Sequence, residues 1–209
     1  MHTKSVGLTL TLALLAGAGM AAEGKGMTWG VEGHRSGLGV DLVGCFGQPE
    51  GQCDPYEGDT SCAEARPILC VNIDNSPRPN YRIPPSGGMY PDYFYRGWLG
   101  GHMATTLPVV GNTLTKPGPG DEPGNPNHIC RQSFGEGWRM AEFHDGRYVE
   151  NMGRDVAYGN EYHWHSTSPW PEKRSDTLVG GWAFIGYGHV RNDMRSWVRV
   201  IGEPGNCWN

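Results

Sequence analysis

The sequence predicts an α+β domain that is rich in loops, built on small antiparallel β-sheets with few short helices, and held together by disulfides. Three observations predict it. Glycine (33) and proline (16) are abundant across 209 residues, which lowers helix propensity and supplies frequent turns. Eight tryptophans and nine tyrosines provide aromatic packing in place of long amphipathic helices. Six cysteines, an even number, read as disulfides in an exported chain.

Export is read from the N-terminus. Lys4 gives a positive start, Val6 to Leu15 is an uncharged apolar run, and Gly19-Met20-Ala21 places small residues where a signal peptidase cuts. Residues 1–21 are therefore expected to be a signal peptide. The run is shorter than the ~18 residues a membrane helix requires, and no later segment is longer, so no membrane span is expected after its removal. The expected location is secreted or periplasmic. Loss of Lys4 moves the formal charge from −5 to −6, which argues against nucleic acid as a partner.

Two regions are expected in the remaining chain, packed as one compact unit: 22–96, disulfide-rich and rich in proline and tyrosine, and 97–209, the core. Residues 27–44 hold alternating and apolar pieces separated by glycines, which predicts one or two strands. Cys45, Cys53, Cys62 and Cys70 follow within 26 residues, with turn signals between them. Six cysteines allow fifteen pairings. The economical expectation joins the first four among themselves and Cys130 with Cys207. No C-x-x-C pair suggests zinc.

Residues 71–97 carry five prolines among tyrosines, an extended connector whose rings, Tyr93 and Tyr95 among them, are candidates for binding a surface. A core-like pattern resumes over 97–110. The run KPGPGDEPGNPN (116–127) is expected to be an exposed, mobile loop, hostile to helix. VGGWAFIGY (179–187) and SWVRVI (196–201) read as the best strands. In the second, Trp197, Arg199 and Ile201 share one face and Val198 and Val200 the other.

Chemistry-bearing residues concentrate in two places. GWRMAEFHDG (137–146) joins an arginine, two carboxylates and His144. As a strand it sets Trp138, Met140 and Glu142 against Arg139, Ala141 and Phe143; as a short helix it puts Glu142 and Asp145 one turn apart. It is read as a core corner, in which Arg139 and Glu142 neutralise each other and His144-Asp145-Gly146 closes a turn. His163-Trp164-His165 places two imidazoles on one side of a strand. With His144 it is the candidate zinc or copper site, while Trp164 and Trp170 are candidate binding aromatics. Calcium has only the oxygen-rich turns Asp74-Asn75 and Asn192-Asp193, without an EF-hand pattern. No serine lies in a nucleophile elbow.

The spacing of Cys130, Gly137-Trp138-Arg139-Met140-Ala141-Glu142, a tryptophan-rich middle, and Gly202-Glu203-Pro204-Gly205-Asn206-Cys207-Trp208 resembles the C-type-lectin-like fold in its broad sense, including formylglycine-generating-enzyme-type domains, over residues 97–209. The resemblance implies carbohydrate binding and makes Glu203 and Asn206 candidate sugar or calcium ligands. The chain departs from that family in three ways: an extra Gly205 interrupts the Glu-Pro-Asn motif, the Trp-Asn-Asp partner motif is absent, and the helix expected before Cys130 is replaced by Lys-Pro-Gly-Pro-Gly. The runs GWRMAEFHDG and PGNCWN also resemble those of exported bacterial proteins, some labelled as flagellar hook-length control. A signal peptide and six cysteines suit a stable exported domain better than a molecular ruler. The function expected is an exported, non-catalytic protein that binds a glycan or a protein surface. The alternative is a zinc- or copper-dependent enzyme using the histidine cluster.

Overall fold

In the computed structural model the described residues are 24–45, 54–77, 79, 96–143, 145 and 183–208. They form an α+β, loop-rich domain. The strands are β1 (Lys25–Gly26), β2 (Thr28–Arg35), β3 (Val40–Gly44), β4 (Thr60–Ser61), β5 (Ala65–Arg66), β6 (Leu69–Ile73), β7 (Arg96–Thr105), β8 (Val109–Val110), β9 (Arg139–Met140), β10 (Ala183–Gly188) and β11 (Ser196–Trp197), with one α-helix, α1 (Pro126–Phe134). Seven strands make the main sheet in the order β11-β2-β3-β10-β7-β6-β9, and β1-β4 and β5-β8 form two small ladders. Every pairing is antiparallel except β10 with β7. The sheet takes strands from both sides of residue 97.

The sheet curls until its edges meet. Ser196 and Trp197 pair with Trp29 and Thr28, and the Val198 N–H donates to Met27 O (3.1 Å). On the other side the Trp197 N–H donates to Pro67 O (2.7 Å), the Arg199 N–H to Ala141 O (3.0 Å) and the Phe143 N–H to Arg199 O (2.9 Å). Residues 196–199 therefore serve both edges at once, leaving few unpaired backbone groups there.

Period-two alternation then sorts side chains into two cores. Inside the curl lie Met27, Trp29, Val43, Leu69, Val71, Leu99, Met103, Ala141, Phe143, Phe184, Val198 and Val200. Trp29 meets Phe143 edge-on at 5.6 Å and Phe184 at 5.1 Å. Outside lies a second cluster of Ile68, Cys70, Leu114, Cys130, Met140 and Trp197. Of the two runs read as strands, Arg139–Met140 and Ser196–Trp197 are strand, and an isolated bridge between Glu142 and Arg199 continues each. Burying a side chain of this size contributes about 1.5–3 kcal/mol. At Gly101, in β7, a Cβ would lie 2.0 Å from Asn72 O, so the approach of β6 requires glycine.

The second cluster carries the disulfides, and here the expected pairing is corrected. Cys62 bonds Cys207 and Cys70 bonds Cys130, across 145 and 60 residues. Cys45 is disulfide-bonded as well. Sheet closure brings the C-terminal residues beside β4, which no local spacing in the sequence reveals. Gly26 and Gly111 bracket the sulfur of Cys207: a Cβ at either would lie 2.6 or 2.8 Å from it.

The run before Cys130 departs from expectation at its end, where Pro126 and Asn127 begin α1. Asn125, 1% exposed, caps α1 by accepting the Asn127 N–H (3.0 Å), and Pro126 occupies the first turn. The Asn125 amide donates to Gly118 O (3.2 Å) and Gly120 O (2.6 Å), and Arg131 donates to Gly120 O (2.9 Å) and Asp121 (2.7 Å). The loop is exposed in part yet fastened to the helix that follows it. Asn125→Ala removes cap and fastening together. It is expected to lower stability by about 1–2 kcal/mol, read by chemical denaturation.

A separate polar tie closes β1-β4 against β11. Asp59, whose side chain is fully buried, accepts from the Thr28 N–H (3.1 Å), from Thr60 Oγ1 (2.8 Å) and from Arg195 (2.5 Å). No described helix is long and apolar enough to cross a membrane.

Candidate functional site

Two runs distant in sequence meet at the closure of the sheet: 139–145 and 199–208. Arg139, at the edge strand β9, holds Asp145 with both arms, Nη1 to Oδ2 at 2.9 Å and Nη2 to Oδ1 at 2.6 Å, and also donates to Met140 O (3.0 Å). Asp145 is 4% exposed and its Oδ2 accepts the Glu142 N–H at 2.7 Å. The direct partner of Arg139 is thus Asp145, and the charge of Glu142 adds to the neutralisation that the sequence predicts. Glu142, itself buried, accepts the Ile201 N–H on Oε1 (3.3 Å), which joins the two runs.

The two arginines in this cluster differ. Burial pulls the Arg139 guanidinium down, but the charge and hydrogen bonds of Asp145, with the charge of Glu142, outweigh it and raise its pKa above the ordinary arginine value. Burial pulls Arg199 down too. The like charge of Arg139 adds to that, and Glu142 and Asp145 offset it only in part, so its pKa lies below the ordinary value. Arginine stays protonated in either case. The buried Nε of Arg199 has no hydrogen-bond partner among the described residues. Arg199 is a charged group held close to its own kind.

Arg199 lines a cleft of about 470 Å³ together with Lys116, Pro117, Ile201, Glu203 and Trp208. Alternation along the strand explains its place, because Val198 and Val200 turn into the core and Arg199 must turn out. The far wall is the loop 202–206. Gly202 takes a left-handed φ of 82°, and a Cβ on Gly205 would lie 2.5 Å from Pro55 O. The residue that interrupts Glu-Pro-Asn is therefore the one that lets the loop seat on Pro55.

Glu203 and Asn206 both border this cleft. The side chain of Asn206 is bound to the backbone: Oδ1 accepts the Val200 N–H (2.9 Å), and Nδ2 donates to Val200 O (2.8 Å) and Glu203 O (2.8 Å). Asn206 shapes the wall, while Glu203 is the lining carboxylate. The other candidates, His144, His163, His165, Trp164, Trp170, Tyr93 and Tyr95, lie outside the described residues. Among the described residues no three His, Cys, Asp or Glu side chains are grouped to hold a metal ion.

Lys116, Arg199 and Trp208 were not singled out by sequence reasoning. The signal for Arg199 was present: it is the single charge in an otherwise apolar strand whose two valines face the core. Lys116 and Trp208 carry no comparable signal, since only the fold brings them to the cleft. No protein-family model, no curated protein and no solved structure matches the chain.

Proposed function

We propose that the protein is an exported, non-catalytic binding module that holds an acidic glycan in the cleft bordered by Lys116, Arg199, Glu203 and Trp208. The observation that carries this reading is Arg199, a half-buried guanidinium that lines the cleft and is held beside the like charge of Arg139. A planar guanidinium matches a carboxylate in two-pronged geometry, and hydrogen bonds between charged groups are the stronger kind. The cleft volume falls within the range that holds small ligands. Trp208, Pro117 and Pro204 offer apolar faces for sugar rings, and Glu203 accepts from hydroxyls.

The sheet-rich, disulfide-bonded α+β architecture is compatible with the lectin-like resemblance. In this reading the contact to the sugar is made by a guanidinium, because the Asn206 amide is already committed to the backbone. Glu203 is the sole carboxylate among the described lining residues, whereas glycosidic hydrolysis ordinarily uses a pair. This favours binding over catalysis.

A glycan array that includes uronate- and sialate-bearing and neutral sugars tests the reading. Acidic glycans are expected to bind, Arg199→Ala to weaken them about 10- to 100-fold and Arg199→Lys to retain part of the affinity. Arg199→Ala should leave the melting temperature unchanged. Equal binding of neutral sugars, or unaltered binding by Arg199→Ala, would overturn it. Retention only by acidic protein surfaces would assign the cleft to a protein partner instead.

A further inference from the structure

A different part of the sheet carries an arrangement that neither the cleft nor the curl requires. His34 is the next-to-last residue of β2, Asp41 lies opposite it in β3, and His189 follows β10 directly. Asp41 is 1% exposed although it is a carboxylate. Its Oδ2 accepts the Val190 N–H at 2.5 Å, and its Oδ1 meets Nδ1 of His34. A carboxylate only accepts, so Nδ1 of His34 donates to Asp41 and Nε2 is the ring nitrogen left to hold an ion. The His34 side chain is 35% exposed, and His189 is exposed beside it. Their ring centres are 4.9 Å apart with the planes at 88°.

Two imidazoles that share a tetrahedral ion through metal–nitrogen bonds of about 2.1 Å have ring centres about 5 Å apart. At 4.9 Å between ring centres the two side chains are within reach of one ion, although their present arrangement, with planes at 88°, is an edge-on contact. His189, exposed, turns about its own side-chain bonds to bring a nitrogen to the same point. A carboxylate behind the first imidazole is the usual outer-sphere arrangement, fixing the tautomer and raising the basicity of the metal-facing nitrogen. We propose that His34 and His189 form a two-histidine site for a divalent transition metal of the copper–zinc class, with Asp41 as its positioning residue. Two protein ligands leave the remaining coordination positions to water, so the site is open. It stands independently of the reading of the cleft.

The test is titration of the protein, purified without a histidine tag, with Cu²⁺ alone and with Zn²⁺ alone, followed by calorimetry and by the nitrogen hyperfine pattern of the bound Cu²⁺. One ion per chain with two imidazole nitrogens is expected. His34→Ala and His189→Ala should each weaken binding at least tenfold, and Asp41→Asn by about 10- to 100-fold. His189→Ala alters an exposed side chain, so its result stands even if Asp41→Asn fails to fold. Absence of binding would overturn the proposal, as would binding that both histidine variants leave unchanged, which would place the donors elsewhere, His163 and His165 included.

Discussion

Replacing Cys62 and Cys207 together by alanine is expected to lower the melting temperature by on the order of 10–20 °C, measured by differential scanning calorimetry. The bond closes a span of 145 residues, which in the chain-entropy account withdraws about 5 kcal/mol of freedom from the unfolded chain. The 60-residue span of Cys70–Cys130 withdraws about 0.8 kcal/mol less by the same relation, so its double alanine variant should melt higher than the first. The difference in packing points the same way. Cys207 sits between Gly26, Gly111 and the ring of Trp197, at distances that leave no room for a Cβ on either glycine. An alanine pair there leaves a void beside the residue that closes the sheet. Equal melting temperatures for the two variants would contradict this ordering.

Asp145→Ala is expected to destabilise the fold by about 3–5 kcal/mol, because it strands the largely buried Arg139 guanidinium without its two-pronged partner and removes the acceptor for the Glu142 N–H. The double variant Arg139→Ala/Asp145→Ala should recover part of that loss, since no charge is then left unpaired. Urea denaturation of the four species of the cycle measures the coupling directly. Strictly additive losses would show that the pair does not act as one unit. The same cluster positions the strand that carries Arg199, through Glu142 and the Ile201 N–H, so Asp145→Ala should also weaken any ligand held at the cleft.

Local patterning made part of this architecture legible. The faces of 138–143 and 196–201 follow from alternation: Ala141 with Phe143, and Val198 with Val200, share a face as expected, and the structure sets those faces in the inner core. The glycine-separated run 27–44 folds as the β2-β3 hairpin. Helix α1 was obscured by the prolines and glycines ahead of it, although Asn125-Pro126 is a capping sequence in its own right. The disulfides were illegible for a physical reason. Cys62 and Cys207 are neighbours only because residues 196–199 bond to both sheet edges, and closure of that kind is a property of the whole sheet. The pairing of Arg139 with Asp145 rather than Glu142 also depends on three dimensions. Asp145 turns back toward β9, its own N–H donating to Glu142 O (2.9 Å). At the cleft, sequence drew notice to Glu203 and Asn206 by resemblance, whereas the lining guanidinium that Glu142 and Asp145 offset only in part is Arg199.

The central claim, an acidic sugar held against Arg199, is tested most directly by following backbone and tryptophan side-chain NMR signals while a uronate oligosaccharide is added. The account predicts saturable shifts confined to Lys116, residues 199–204 and the Trp208 indole, and their loss in Arg199→Ala. Shifts elsewhere with these signals unmoved, or a response to the neutral oligosaccharide of the same length that matches the acidic one, would contradict it.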